Sequence, residues 1–208
     1  MRHRATRELF DYWNALRGPR AAPERAEIDL AAIRGLIADM FMLDVDAARL
    51  FPFVLSGTRV NALACTEQHG RSFLDLWAPQ EQGNVAALLL AMIDAACPLV
   101  AAAGAKPEGC PDHEIELLLL PLGRRGQNRT RILGLIAPTA TPSWLGLLPV
   151  QDLTLRSVQS INDAAMPIGI DAATASRTIP VSAQAQRYSR PIKNVLHLRV
   201  FQGGRHVS

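Results

Sequence analysis

Aromatic side chains are scarce in this chain, at 5% of 208 residues, so alanine and leucine are expected to build a mainly aliphatic core. Cysteine is rarer still. Cys65, Cys97 and Cys110 are an odd number without metal-ligand spacing, which gives neither a disulfide framework nor a zinc site and fits a reducing cytoplasm. No apolar run is long enough for a membrane span, because Asp94 and Pro98 break the most apolar window, 84–105. The basic start is followed by Glu8, Asp11 and Trp13 rather than by the apolar centre of an export signal. A net charge of +3 falls well short of a dedicated nucleic-acid arm.

What is present reads as one globular domain with appendages, at 49% apolar and 20% charged residues. Within 6–17, Leu9, Trp13 and Leu16 form a helical stripe with Phe10 alongside, ended by Gly18-Pro19. The stripe packs on the protein's own core or, as a helix outside it, forms a homodimer interface through Leu9, Phe10, Trp13 and Leu16. Asp29 caps a helix expected over 30–40, and strands at 41–46 and 50–60 form an antiparallel hairpin. A short helical piece at 61–65 leads through His69-Gly70 to a longer helix over 80–96, with Pro79 in its first turn. Strands follow at 99–103, 114–122 and 130–137, the last two joined by a loop of glycine and arginine.

Segment 153–161 reads equally as strand or helix, 164–191 as an extended or mobile tail, and 194–201 as a terminal strand. The expected fold class is therefore α+β, an antiparallel five-stranded sheet with flanking helices, an N-terminal helix and a C-terminal extension. Its boundaries are 1–27 for the N-terminal helix and linker, 28–163 for the domain and 164–208 for the extension.

The order of elements is similar to that of a PAS domain, and one stretch makes the resemblance specific. Residues 66–79, TEQHGRSFLDLWAP, resemble the Glu-x-x-Gly-Arg-Ser-Phe-x-x-Leu-Trp region of the alphaproteobacterial PAS-like family. Leu9, Phe10, Tyr12 and Trp13 resemble that family's N-terminal helix, with Leu16, Arg17 and Gly18 as its ending. Ser56, Gly57, Thr58 and Arg59 match its Ser-Gly-Thr-Arg strand end, and 197–204 its closing segment. On the residues themselves, Gly70 permits a turn that sends Phe73 and Trp77 together onto the sheet.

The resemblance implies a cytoplasmic sensory or signalling module. The flavin-adduct branch of that superfamily carries a cysteine after Gly-Arg-Asn, whereas Gly70-Arg71 here precedes Ser72-Phe73. A haem-binding relative carries a histidine on the long helix, and 79–97 hold none. The bound cofactor, if there is one, stays unidentified. Cys65 reads as a small buried hydrophobe, His69 and His113 as surface groups, and Asp44 and Asp46 as a solvated strand end. No nucleophile elbow or phosphate-cradling loop appears, so no enzyme is expected.

The candidate ligand pocket lies between the sheet and the long helix. Its walls are Phe53, Val54, Leu89, Met92 and Ile93, with Arg59 and Asn61 as polar contacts at the mouth. Its output would pass through a protein partner. The alternative is a nucleic-acid-associated regulator that uses Arg124, Arg125, Arg129 and Arg131, although a charged hairpin tip is commonly just a solvated turn.

Overall fold

A computed structural model of the chain describes residues 1–46, 48, 50–123, 131–138 and 140–161. The chain divides into two units, Met1–Ala172 and Ala173–Ser208. The second lies outside the described residues, as do the expected tail at 164–191 and strand at 194–201. In the first unit the elements are α1 (Arg4–Arg17), β1 (Met40–Asp44), β2 (Phe53–Ser56), α2 (Thr58–Leu63), α3 (Pro79–Ala95), β3 (Leu99–Pro107), β4 (His113–Leu122), β5 (Arg131–Pro138) and β6 (Val150–Ser160). The strands form one antiparallel sheet in the order β2-β1-β5-β4-β3-β6. Among the described residues no helix is long and apolar enough to cross a membrane.

The α+β antiparallel architecture is as expected, with one strand more than the five read from sequence. Segment 153–161, open between strand and helix, falls largely in β6 and pairs along β3 from Leu99↔Ser160 to Pro107↔Val150. Its alternation is faint because a register shift opposite Ala102/Ala103 interrupts it and because, as an edge strand, it fully buries only Leu153. The helix expected over 30–40 does not form. Asp29 does cap Ala31 through its Oδ1 at 2.9 Å, but turns lead into a 3-10 segment, Ile37–Asp39, and Met40 already pairs with Leu135. A short segment containing Gly35 has little helical stability of its own, and strand pairing takes its last residue.

Side-chain alternation along the strands builds two cores. Phe41 and Leu43 of β1, Ile115, Leu117 and Leu119 of β4, and Ile132 and Ile136 of β5 point to one face. Met40, Met42, Leu118, Leu120, Leu122, Leu133, Leu135 and Ala137 point to the other. The first face is covered by α2, the 3-10 turn Phe73–Leu76 and α3, the second by α1 and the segment holding Ile28, Ile33 and Leu36. This double coverage explains why β4 and β5 read as almost continuous apolar runs.

Helix α1 is docked by its own stripe. Leu9, Phe10 and Trp13 are buried in the second core, Leu16 packs at its margin, and the Trp13 indole N–H donates to the Pro121 carbonyl at 3.0 Å. Arg17 lies over the Trp13 ring at 5.3 Å, and Gly18 ends the helix at φ 54°. The apolar side chains that motivated a dimer contact are thus covered by the chain's own sheet. Trp13→Ala should lower stability by about 3–5 kcal/mol in urea titration, the cost of an emptied aromatic site. A loss under about 1 kcal/mol would mean that α1 is detached in solution.

Candidate functional site

The residues expected to line a pocket separate according to strand face. Phe53, Leu89 and Met92 are buried in the first core, with Ile93 packed against it. Val54, the next residue along β2, points the other way and packs against the second core, as strand alternation requires. Asn61 is turned toward a polar loop: its amide donates to Glu67 at 2.9 Å, and its carbonyl oxygen accepts from Gln68 N–H and the Ser56 hydroxyl. The His69 backbone N–H, then Ser56 and Asn61, hold the Glu67 carboxyl below its usual range. Cys65, expected to be buried, is exposed at the end of α2, in a left-handed conformation with φ 50°.

The first core is aromatic at its centre, contrary to the expectation from composition. Phe41 contacts Phe73 at 5.3 Å and Phe53 at 5.7 Å between ring centroids; Phe53 and Phe73 are 5.8 Å apart, and Phe73 and Trp77 5.9 Å. Three of these contacts are edge-to-face, a geometry favoured by the ring quadrupoles. The turn at Gly70, φ 77°, delivers Phe73 and Trp77 as expected. Main-chain bonds fasten it to β2: Phe53 N–H donates to Arg71 and Gly70 N–H to Phe53, at 2.9 and 2.8 Å. Ser72 caps the following 3-10 turn, accepting from Leu74 N–H at 3.1 Å. Sequence reasoning missed Phe41 and Phe51 as members of this core, because β1 is buried on both faces and Phe51 lies outside any strand.

The Ser-Gly-Thr-Arg motif is a structural tie. Gly57 N–H donates to the Met40 carbonyl at 2.8 Å, and a side chain at Gly57 would collide with the Ile37 and Ala38 carbonyls. Two residues on, Arg59 forms a bidentate ion pair with buried Asp39, so it is not a free contact at a pocket mouth. Asp44 is also buried, not solvated, and accepts from Arg131 at 2.7 Å. The other three loop arginines lie outside the described residues. Gly57→Ala should cost about 1–3 kcal/mol, the usual penalty for overpacking, measured by chemical denaturation.

A cavity of about 170 Å³ opens on the opposite face of the sheet, between the start of α1 and the outer strands, and none of the residues expected to line a pocket borders it. Arg2, His3, Glu114, Glu116, Ser157 and Gln159 are among its lining residues. Glu116 accepts from the backbone N–H groups of Arg2 at 2.6 Å and His3 at 3.1 Å. Burial alone would raise the Glu116 pKa, but these bonds outweigh it and hold the carboxyl below its usual range. A lowered folded-state value stabilises the fold above the unfolded value of about 4.3 and ceases to do so as pH falls through the folded value. Glu116→Gln should therefore lower the urea midpoint at pH 7, and the difference from the parent chain should shrink as pH falls below the ordinary glutamate value of about 4.3. A constant difference across that range would rule out this linkage.

Residues 1–137 match the PAS domain family, a span that runs from α1 to the end of β5. The chain belongs to the PAS domain family, which points to a sensory or signalling role. A search of curated proteins gives no match.

Proposed function

We propose that the chain is a non-catalytic sensory module of the reducing cytoplasm, which takes a small apolar molecule into the first core and signals through protein contacts. The observation that carries this reading is the cover of that core. Its helices, α2, the Phe73–Leu76 turn and α3, come from one contiguous stretch, 58–95, so a single segment closes this core against the sheet. Beneath α3 it presents Leu89 and the adaptable side chain of Met92 to the aromatic cluster.

A second reading, docking of a partner protein, is favoured by a different observation. Leu147 and Leu148 are 77% and 42% exposed in the loop before β6, and Gly146 of that loop bonds to the Ala62 carbonyl of α2 at 3.2 Å. The nucleic-acid alternative draws less support, because Arg131 already serves buried Asp44.

The test is titration with indane, a compact hydrocarbon. Methyl resonances of Leu89 and Met92 should shift, and at a hundredfold excess over Kd stability should rise by about 2.7 kcal/mol, about 5–11 °C in Tm. If neither changes at millimolar indane, the ligand reading falls and docking remains.

A further inference from the structure

The second core contains one buried tryptophan, Trp13, and the first contains Trp77 and Trp144; the indole N–H groups of Trp13 and Trp77 differ. Trp13 donates to the Pro121 carbonyl at 3.0 Å. Trp77 is 1% exposed, and its Nε1–H meets no acceptor among the described residues. Among the described residues nothing replaces the bond to water that this donor gives up on burial, and few buried native groups go unpaired. The surrounding chain holds the ring in place. Trp77 N–H donates to Leu74 at 3.0 Å, its carbonyl accepts from the Gln82 side chain at 3.3 Å, and the next N–H, of Ala78, donates to Leu153 at 3.1 Å. Phe73 stands against the ring at 63° between planes. Turning the indole to find an acceptor would disturb its edge-to-face contact with Phe73.

We infer that Trp77 is the residue that selects the guest of this core, and that the guest is a small neutral apolar molecule with one hydrogen-bond acceptor, such as a ketone oxygen. The inference rests on the sensory reading above and adds the chemistry of the ligand. Neutrality follows from the surroundings. The buried carboxylates at the two ends of β1 are already taken, Asp39 by Arg59 and Asp44 by Arg131, and an unpaired charge among hydrocarbon side chains is strongly disfavoured. The acceptor follows from a donor that is unpaired among the described residues: a hydrocarbon leaves the N–H as it is, whereas a carbonyl accepts from it. A site with one such donor discriminates against the analogue that lacks the acceptor.

The experiment compares indane with indanone, which differ by one carbonyl oxygen, in the full chain and in Trp77→Phe. Affinities come from the Leu89 and Met92 methyl signals, and the Trp77 indole resonance is followed in the parent chain. The preference for indanone over indane should fall about tenfold in Trp77→Phe, equivalent to about 1.4 kcal/mol. Taking the ratio within each protein cancels the different solubilities of the two probes. In the parent chain the indole proton should move downfield with indanone and not with indane, a readout that does not depend on the variant folding. Equal ratios in the two proteins, or the same indole shift with both probes, would overturn the acceptor inference while leaving the sensory reading in place. Failure of both probes to bind would overturn both.

Discussion

The Phe41 ring lies across Gly134, and the first core is organised around that contact. The two residues are register partners on β1 and β5, and a side chain at Gly134 would occupy the space of the ring. A glycine in the interior of a strand weakens it, but here it lets a large ring lie flat on the neighbouring backbone. From Phe41 the aromatic contacts continue to Phe53 on edge strand β2 and through Phe73 to Trp77. Trp77 forms an isolated bridge with Leu153 on β6, the opposite edge. A few rings therefore link both edges of the sheet across one face, and the low aromatic content reflects concentration rather than absence.

The two cores are unequal for the same reason. The α1 side is filled mainly by leucines and methionines, with one indole whose N–H is paired. The other side gathers most of the buried rings, including Phe51, which is held at φ 51°. A bulky residue in the left-handed region costs backbone energy and persists only where its surroundings impose it. Here the Phe51 carbonyl accepts from Phe73 N–H at 3.1 Å, so the strained residue and the aromatic cluster are joined through the main chain.

Much of this was legible in local chemistry. Gly18 after the α1 stripe, Pro79 at the head of α3 and Gly70 before Phe73 are signals whose meaning lies within a few residues, and the structure uses each as expected. What was not legible depends on partners distant in sequence. Asp44 looks like a solvated strand end until Arg131 is brought beside it, and Val54 looks like a pocket wall until the face of β2 is known. The packing of Phe41 needs Gly134, more than ninety residues away on the chain. Segment 153–161 stayed open between strand and helix because the polar, exposed face of β6 and its register shift blur the period of two that marks a strand.

Strand β1 shows what these distant partners accomplish. Its sequence, Met-Phe-Met-Leu-Asp, is buried throughout, so apolar alternation cannot say which side chains belong to which core. A slip of one residue would exchange Phe41 and Leu43 for Met40 and Met42, emptying the aromatic cluster and crowding the α1 side. Three features oppose that slip. Gly134 accepts a ring only at its own register, Asp39 immediately before the strand is held by Arg59, and Asp44 at its end is held by Arg131. Moving either carboxylate would leave a buried charge without its partner, a change that costs several kcal/mol when the pair is well shielded and less when the arginine is half exposed, as Arg59 is. The ion pairs therefore need not add much net stability to matter: placed at both ends of an otherwise uniform apolar strand, they make the competing register unfavourable.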